Sequence, residues 1–450
     1  MVDVVKSAFG KIHKKFNKGY EHYLSIYLII NVIWLYVGLI FYSYFRFSYQ
    51  NYSISLIFLM SINILFSIVL LFLERIKFNL IDVFLILLVL FGIISTALSK
   101  DVSVSLYGYW RRYEGFLQLL YYYSLMYLGT AVFKDKCKKF IIYSIFVFGI
   151  VNVLICFMQV YNIFKFVNVG LRDRMFGMGL LLNTNFAGSY MVLCLGLSLG
   201  LFLYSKNRNC IGFIIKLVLC LLFFSGLLMS NAMSGVVGLF FICLLIVMYF
   251  IYMCVKKSNS KENIIKHLVL LVSCFLVFIS LSYTRGTIIG RDFMLFSRET
   301  SELVKGNTND NFGSGRIFVW KNTLKVVPKY ILHGVGVDNF CNAFEYPLSF
   351  EFSPGNVVYY DKVHNEYLQK LVCEGIFSCI TYIVMLAFIF FKSVKENVKK
   401  FNYISVAFLF AFSGYCVQAF FNISVIEVAP LFWIVCGLLY DRRKKSDMVV

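Results

Sequence analysis

One feature leaves this chain few ways to fold: a run of about twenty apolar residues that recurs almost from end to end. Crossing a bilayer's hydrocarbon core takes a helix of roughly that length. Backbone polar groups cannot stay unpaired in lipid, so such runs fold as helices. They fall at roughly 23–45, 53–73, 80–98, 116–133, 140–160, 186–204, 211–229, 236–255, 268–284, 369–391, 402–421 and 424–440. The expected fold is an all-α polytopic membrane protein of about twelve spans. Charged residues make up only 15% of the chain, against about 25% in soluble domains. No short apolar run ending in small residues follows the basic start, so no cleaved signal peptide is expected.

A formal charge of +20 would suit a nucleic-acid partner, but the distribution argues for a membrane and against nucleic acid. Lys and Arg gather on every second connection, as in Lys134 to Lys139, Lys256 to Lys266, and Arg442 to Lys445. The positive-inside rule places those connections and both termini in the cytoplasm. Four connections then face outward: 99–115, 161–184, 230–235 and 285–367. Most of the 13 cysteines, such as Cys194, Cys220, Cys243 and Cys274, lie in apolar runs and act as small hydrophobes. Their spacing matches no disulfide or zinc framework.

The longest polar stretch, 285–367, divides the chain into an N-terminal bundle (1–284, spans one to nine), an extracytoplasmic loop (285–367), and C-terminal spans ten to twelve with a basic tail (368–450). It holds three of the four prolines. Ile317, Trp320, Leu324 and Val327 recur at helical spacing, with Ser314 as expected N-cap and Pro328 as stop. The HGVGVDNF stretch (333–340) predicts a glycine turn with Asp338 capping a short helix. Residues 345–358 read as irregular. Asp361 precedes a helix that flows into span ten and carries His364 in its first turns.

Arg111, Arg112, Arg172, Arg174, Arg316 and His364 all fall on the outward side. Singly, such arginines meet lipid headgroups and such a histidine is a surface residue. Together they suit a diphosphate, because guanidinium offers a fixed fork of donors to phosphate oxygens. No metal-ligand spacing and no P-loop is present. Glu114, Glu366 and Glu374 remain open as base or partner of His364. Glu374 reads more simply as an arginine's partner, and His333 as structural. Tyr121 to Tyr123, Tyr359 and Tyr360 stack on sugars or form an interfacial belt, the belt being the simpler reading.

Five segments carry a resemblance: RYEGFLQLL (112–120), RMFGMGLLLNTNFAG (174–188), SGRIFVW (314–320), GVGVDNF (334–340) and HNEYLQKLVCEGI (364–376). In this order the chain resembles the O-antigen ligase and polysaccharide polymerase superfamily of GT-C-like membrane glycosyltransferases. The resemblance implies metal-independent, cofactor-free transfer of a glycan from an undecaprenyl-diphosphate carrier to an acceptor glycan, lipid or protein, outside the cytoplasmic membrane. It implies His364 as general base, Arg174 and Arg316 on the diphosphate, and an inverting attack. Arg111, Arg112, Glu114, Arg172, Asn183, Asn185, Tyr360 and Asn365 are the expected substrate-binding residues. Two departures stand out. The turn SNAMSG (230–235) lacks the arginine many members carry there, and Thr184 stands between the asparagines where proline is usual. Ligase and polymerase share this chemistry and differ in acceptor. A flippase or transporter of lipid-linked sugars is the competing class.

Overall fold

A computed structural model describes residues 2–45, 48–72, 78–110, 112–163, 177–181, 183–205, 209–256, 261–285, 301–302, 305, 310, 312–353, 355–440 and 442. All twelve apolar runs contain a helix: α1 (Val2–Phe45), α2 (Tyr49–Phe72), α3 (Leu80–Ala97), α5 (Phe116–Gly129), α6 (Asp135–Val160), α7 (Thr184–Tyr204), α8 (Cys210–Ser230), α9 (Met233–Val255), α10 (Lys261–Arg285), α12 (Glu366–Lys399), α13 (Tyr403–Gln418) and α14 (Ala429–Leu439). A short helix α4 (Val102–Tyr107) and the loop helix α11 (Phe312–Tyr330) complete the set. Among the described residues, ten helical stretches are long and apolar enough to cross a membrane. The protein is a multi-pass membrane protein.

The two exceptions are instructive. Helices α5 and α14 have 14 and 11 residues, about 21 and 16 Å at the helical rise. Both are largely buried, and they cross where Gly129 meets Gly437. After α5 and before α14 the chain turns without regular helix, which is tolerated at membrane depth where protein covers the backbone.

Helix α7 forms the centre, buried from Phe186 to Tyr204 and packed against α8, α9 and α13. Gly196 and Gly200 lie on Ala411 and Ala407, so close that a Cβ on Gly200 would sit 2.4 Å from the Ala407 Cα. Small residues four apart let helix backbones approach in this way. At the periphery α10 exposes Leu268, Leu271 and Phe275, as a lipid-facing surface should.

The long polar stretch has a small core of its own, built from Val319, Tyr330, Val335, Phe340, Val363 and Val372. The region expected to be irregular contains an antiparallel hairpin, Ser349–Ser353 with Asn356–Tyr359. The loop is stitched to a break in α12. Gly375, at φ 83°, interrupts the helix and frees two carbonyls. Val335 N–H donates to Val372 O and Gly336 N–H to Cys373 O, both at 3.0 Å. Gly334 must be glycine here, since a Cβ would lie 2.1 Å from Cys373 O. The glycines of HGVG thus serve a close backbone approach.

Candidate active site

His364 does not lie within a helical turn. Asn365 caps α12, its side chain accepting from Leu368 N at 3.0 Å, so the helix begins at Glu366. Asparagine is a strong N-cap, and its choice leaves His364 outside the helix with a left-handed backbone, φ 56°. Few non-glycine residues adopt that region.

Each of the four residues before His364 is tied to another part of the chain. The Tyr360 hydroxyl donates to Ser314 O at 3.3 Å. Asp361 receives a two-pronged pair from Arg112, at 2.6 and 2.9 Å. The Lys362 ammonium lies 3.1 Å from Glu114 and 2.5 Å from Asp338. Val363 accepts from Trp320 Nε1 at 3.1 Å and donates to Gln369 at 2.8 Å.

Arg316 opens the right-handed part of α11. Gly313, Ser314 and Gly315 before it are all left-handed, so Ser314 is not the N-cap the sequence suggested. Arg316 Nη1 donates to Gly313 O at 2.9 Å, closing that turn on itself. Pro328 does not stop the helix, which runs to Tyr330.

Electrostatics draw these groups into one site. Burial first, then the positive charges of Arg316 and Arg112, push the His364 imidazole down to about 4. It is therefore neutral near pH 7. Burial would raise Asp361, but the Arg112 hydrogen bond and charge outweigh it and hold the carboxyl below its ordinary range. Burial would lower Lys362, but the Asp338 and Glu114 carboxylates hold it above the ordinary lysine range.

The remaining expected residues divide three ways. Arg111, Arg172 and Arg174 lie outside the described residues. Asn183 caps α7 by accepting from Asn185 N at 2.8 Å. Asn185 O accepts from Asn422 at 3.2 Å, and the adjoining Phe420 and Phe421 pack on Trp320 at 5.6 and 6.2 Å. The start of α7 therefore stands beside the loop helix. Glu114, Tyr360 and Asn365 are each buried and bonded within the protein.

Two further expectations are corrected. Asp338 caps no helix. Asn339 precedes the 3-10 turn Phe340–Ala343, and Asp338 instead accepts from Tyr109 N and Glu114 N. Glu374 pairs not with an arginine but with Lys370, at 2.7 Å, one helical turn away. His333 does hold local structure, its Nδ1 lying 2.7 Å from Gly334 O. Lys362 and Ser424 went unnoticed in the sequence.

Beneath the 362–366 segment lies a cavity lined by Glu114, Lys362, Glu366, Lys370, Tyr382 and Trp433, among others. Glu366 accepts from the Tyr382 hydroxyl at 2.5 Å, while its second oxygen is buried without a hydrogen-bond partner. Among the described residues no three His, Cys, Asp or Glu side chains converge as a metal ion would require.

Compared with known proteins, residues 218–383 match the family model described as O-antigen ligase. That stretch includes Arg316, Lys362 and His364 and stops short of Arg112, Glu114, Asn183 and Asn185. No curated protein matches the chain.

Proposed function

Through residues 218–383 this chain belongs to the O-antigen ligase family, and from that premise we propose that it moves a glycan from undecaprenyl diphosphate to an acceptor hydroxyl outside the cytoplasmic membrane. The observation that carries the reading is a neutral imidazole held in the field of two guanidinium groups. A neutral imidazole accepts a proton, and the guanidinium groups suit the charge that grows on a leaving diphosphate.

In the proposed reaction His364 takes the proton from the acceptor hydroxyl. The acceptor oxygen attacks the anomeric carbon, and the bond from that carbon to the diphosphate oxygen breaks with inversion. Arg316 and Arg174 hold the departing lipid diphosphate, with Arg111 and Arg172 as further donors. Asn183 and Asn185, beside the loop helix, would face the donor sugar. Binding of the diphosphate offsets the arginine charges, so His364 becomes a stronger base once the donor is in place.

The test uses purified protein in lipid nanodiscs with lipid-linked repeat units. Elongated chains identify a polymerase, and transfer to a second acceptor identifies a ligase. Movement across the bilayer without a new bond would replace this reading with a transporter. His364→Ala protein that folds yet transfers glycan at the normal rate would refute the role of the histidine.

A further inference from the structure

The His364 imidazole has no hydrogen-bond partner among the described residues. Its ring meets Tyr360 edge-on, with centroids 6.0 Å apart. A histidine base is commonly aimed by a third group bonded to its second ring nitrogen. Among the described residues no such group is present, so the aim is taken to come from the backbone. That backbone is left-handed, a state a non-glycine residue keeps only when its surroundings impose it.

Lys362 is at the centre of what imposes it. The side chains of Lys362, Glu114 and Asp338 are 4%, 4% and 0% exposed. Asp338 also accepts from the backbone of Tyr109 and Glu114, at 2.8 and 3.2 Å. Glu114 also accepts from the Tyr122 and Ser424 hydroxyls, at 2.9 and 2.8 Å. The three charges therefore join the 109–114 connection, the turn at 338, the segment before His364 and the turn at 424. Tyr113 and Asp338 share the left-handed backbone of His364, at φ 53° and 54°. The same connection carries Arg112, bonded to Asp361, so the triad sets how far Arg112 stands from the imidazole.

We propose that the Glu114–Lys362–Asp338 triad is the positioning device of the site, holding the His364 backbone left-handed and its imidazole in register with Arg112 and Arg316. The inference rests on His364 being the base. The three charges pair with one another, so the role assigned to them is to act through His364.

The experiment compares the full-length chain in nanodiscs with the neutral variant Glu114→Gln, Asp338→Asn, Lys362→Met. A displacement on the order of 1 Å costs roughly 100-fold. The variant should lose about that much kcat while KM for the lipid-linked donor moves by less than about two-fold. A second readout needs no turnover: the pH dependence of His364 acylation by diethyl pyrocarbonate, followed by mass spectrometry. Loosening the segment admits water, so the apparent pKa of His364 should rise toward that of free histidine. Tyr122→Phe with Ser424→Ala keeps every charge and decides the matter if the neutral variant does not fold. It should lose about ten-fold in kcat at constant KM. Unchanged kcat and an unchanged acylation profile in the folded variant would overturn the positioning role. A wild-type chain that transfers no glycan would instead overturn the functional reading, and the acylation profile would still judge the triad.

Discussion

Two buried ion clusters occupy the two ends of α3, and they are built differently. At its start, Arg442 grips Asp82 with two bonds of 2.9 and 2.6 Å. Its Nε also donates to Thr130, and its guanidinium covers the Tyr127 ring at 4.6 Å. Asp82 belongs to a capping box with Asn79, and every group there is saturated in ordinary geometry. Beyond the other end, the Glu114–Lys362–Asp338 cluster is equally buried but sits among left-handed residues. It adjoins an imidazole that burial and two arginines have discharged. The first cluster fastens Arg442, beyond α14, to the start of α3. In the second, the fastening is complete and the strain and leftover electrostatics fall on one neighbouring histidine.

Turnover measurements can break that distinction. The largest loss is expected from His364→Ala, about 10²- to 10⁴-fold in kcat, with thermal unfolding little changed. Equal losses of stability and turnover would make the residue a mere packing element. Arg316→Gln should cost on the order of 100-fold. It should also move the acid limb of kcat/KM upward, because a positive charge that depresses His364 is gone. A limb that stays put would remove Arg316 from the field acting on the imidazole.

In the wild-type chain the acid limb of kcat/KM should lie near pH 4, well below the 6.5 of an ordinary histidine. The limb of kcat, measured with diphosphate bound, should lie higher. A titration of kcat/KM centred at the ordinary value would show that His364 is solvated. The same depression has a sign for stability. The unfolded chain takes up the proton first as pH falls, so the contribution of His364 is present above about 6.5 and shrinks toward pH 4.

The smallest effect on turnover belongs to the other cluster. Arg442→Met leaves the Asp82 charge buried and unpaired, a loss of about 3–5 kcal/mol in stability. Protein that remains folded should keep its kcat. A kcat that fell with stability would mean that the two clusters are coupled through α3.

Much of the bundle was legible because lipid allows so few solutions. A run of apolar residues at that length has to be a helix, and every run contains one. The short α5 and α14 were not distinguishable, because apolar residues continue after α5 and before α14. They do so as turns that only neighbouring protein makes tolerable. HGVG looked like a generic turn, because its partner, the broken α12 at Gly375, lies some forty residues on. His364 looked helical because the apolar period runs through it, and the capping strength of Asn365 moved the boundary.

By itself, then, the sequence determined the membrane fold, the positions of the helices and the family resemblance, since each follows from local composition or local motif. It also marked Arg316 and His364 as residues of interest. Only the tertiary structure decided which charges meet. Arg112 finds Asp361 at a separation of 249 residues, and Lys362 finds Glu114 at 248. No local rule links such partners. They are brought together by the packing of α3 and the loop helix α11 onto α12, and the cost of leaving any buried charge unpaired then selects the pairing.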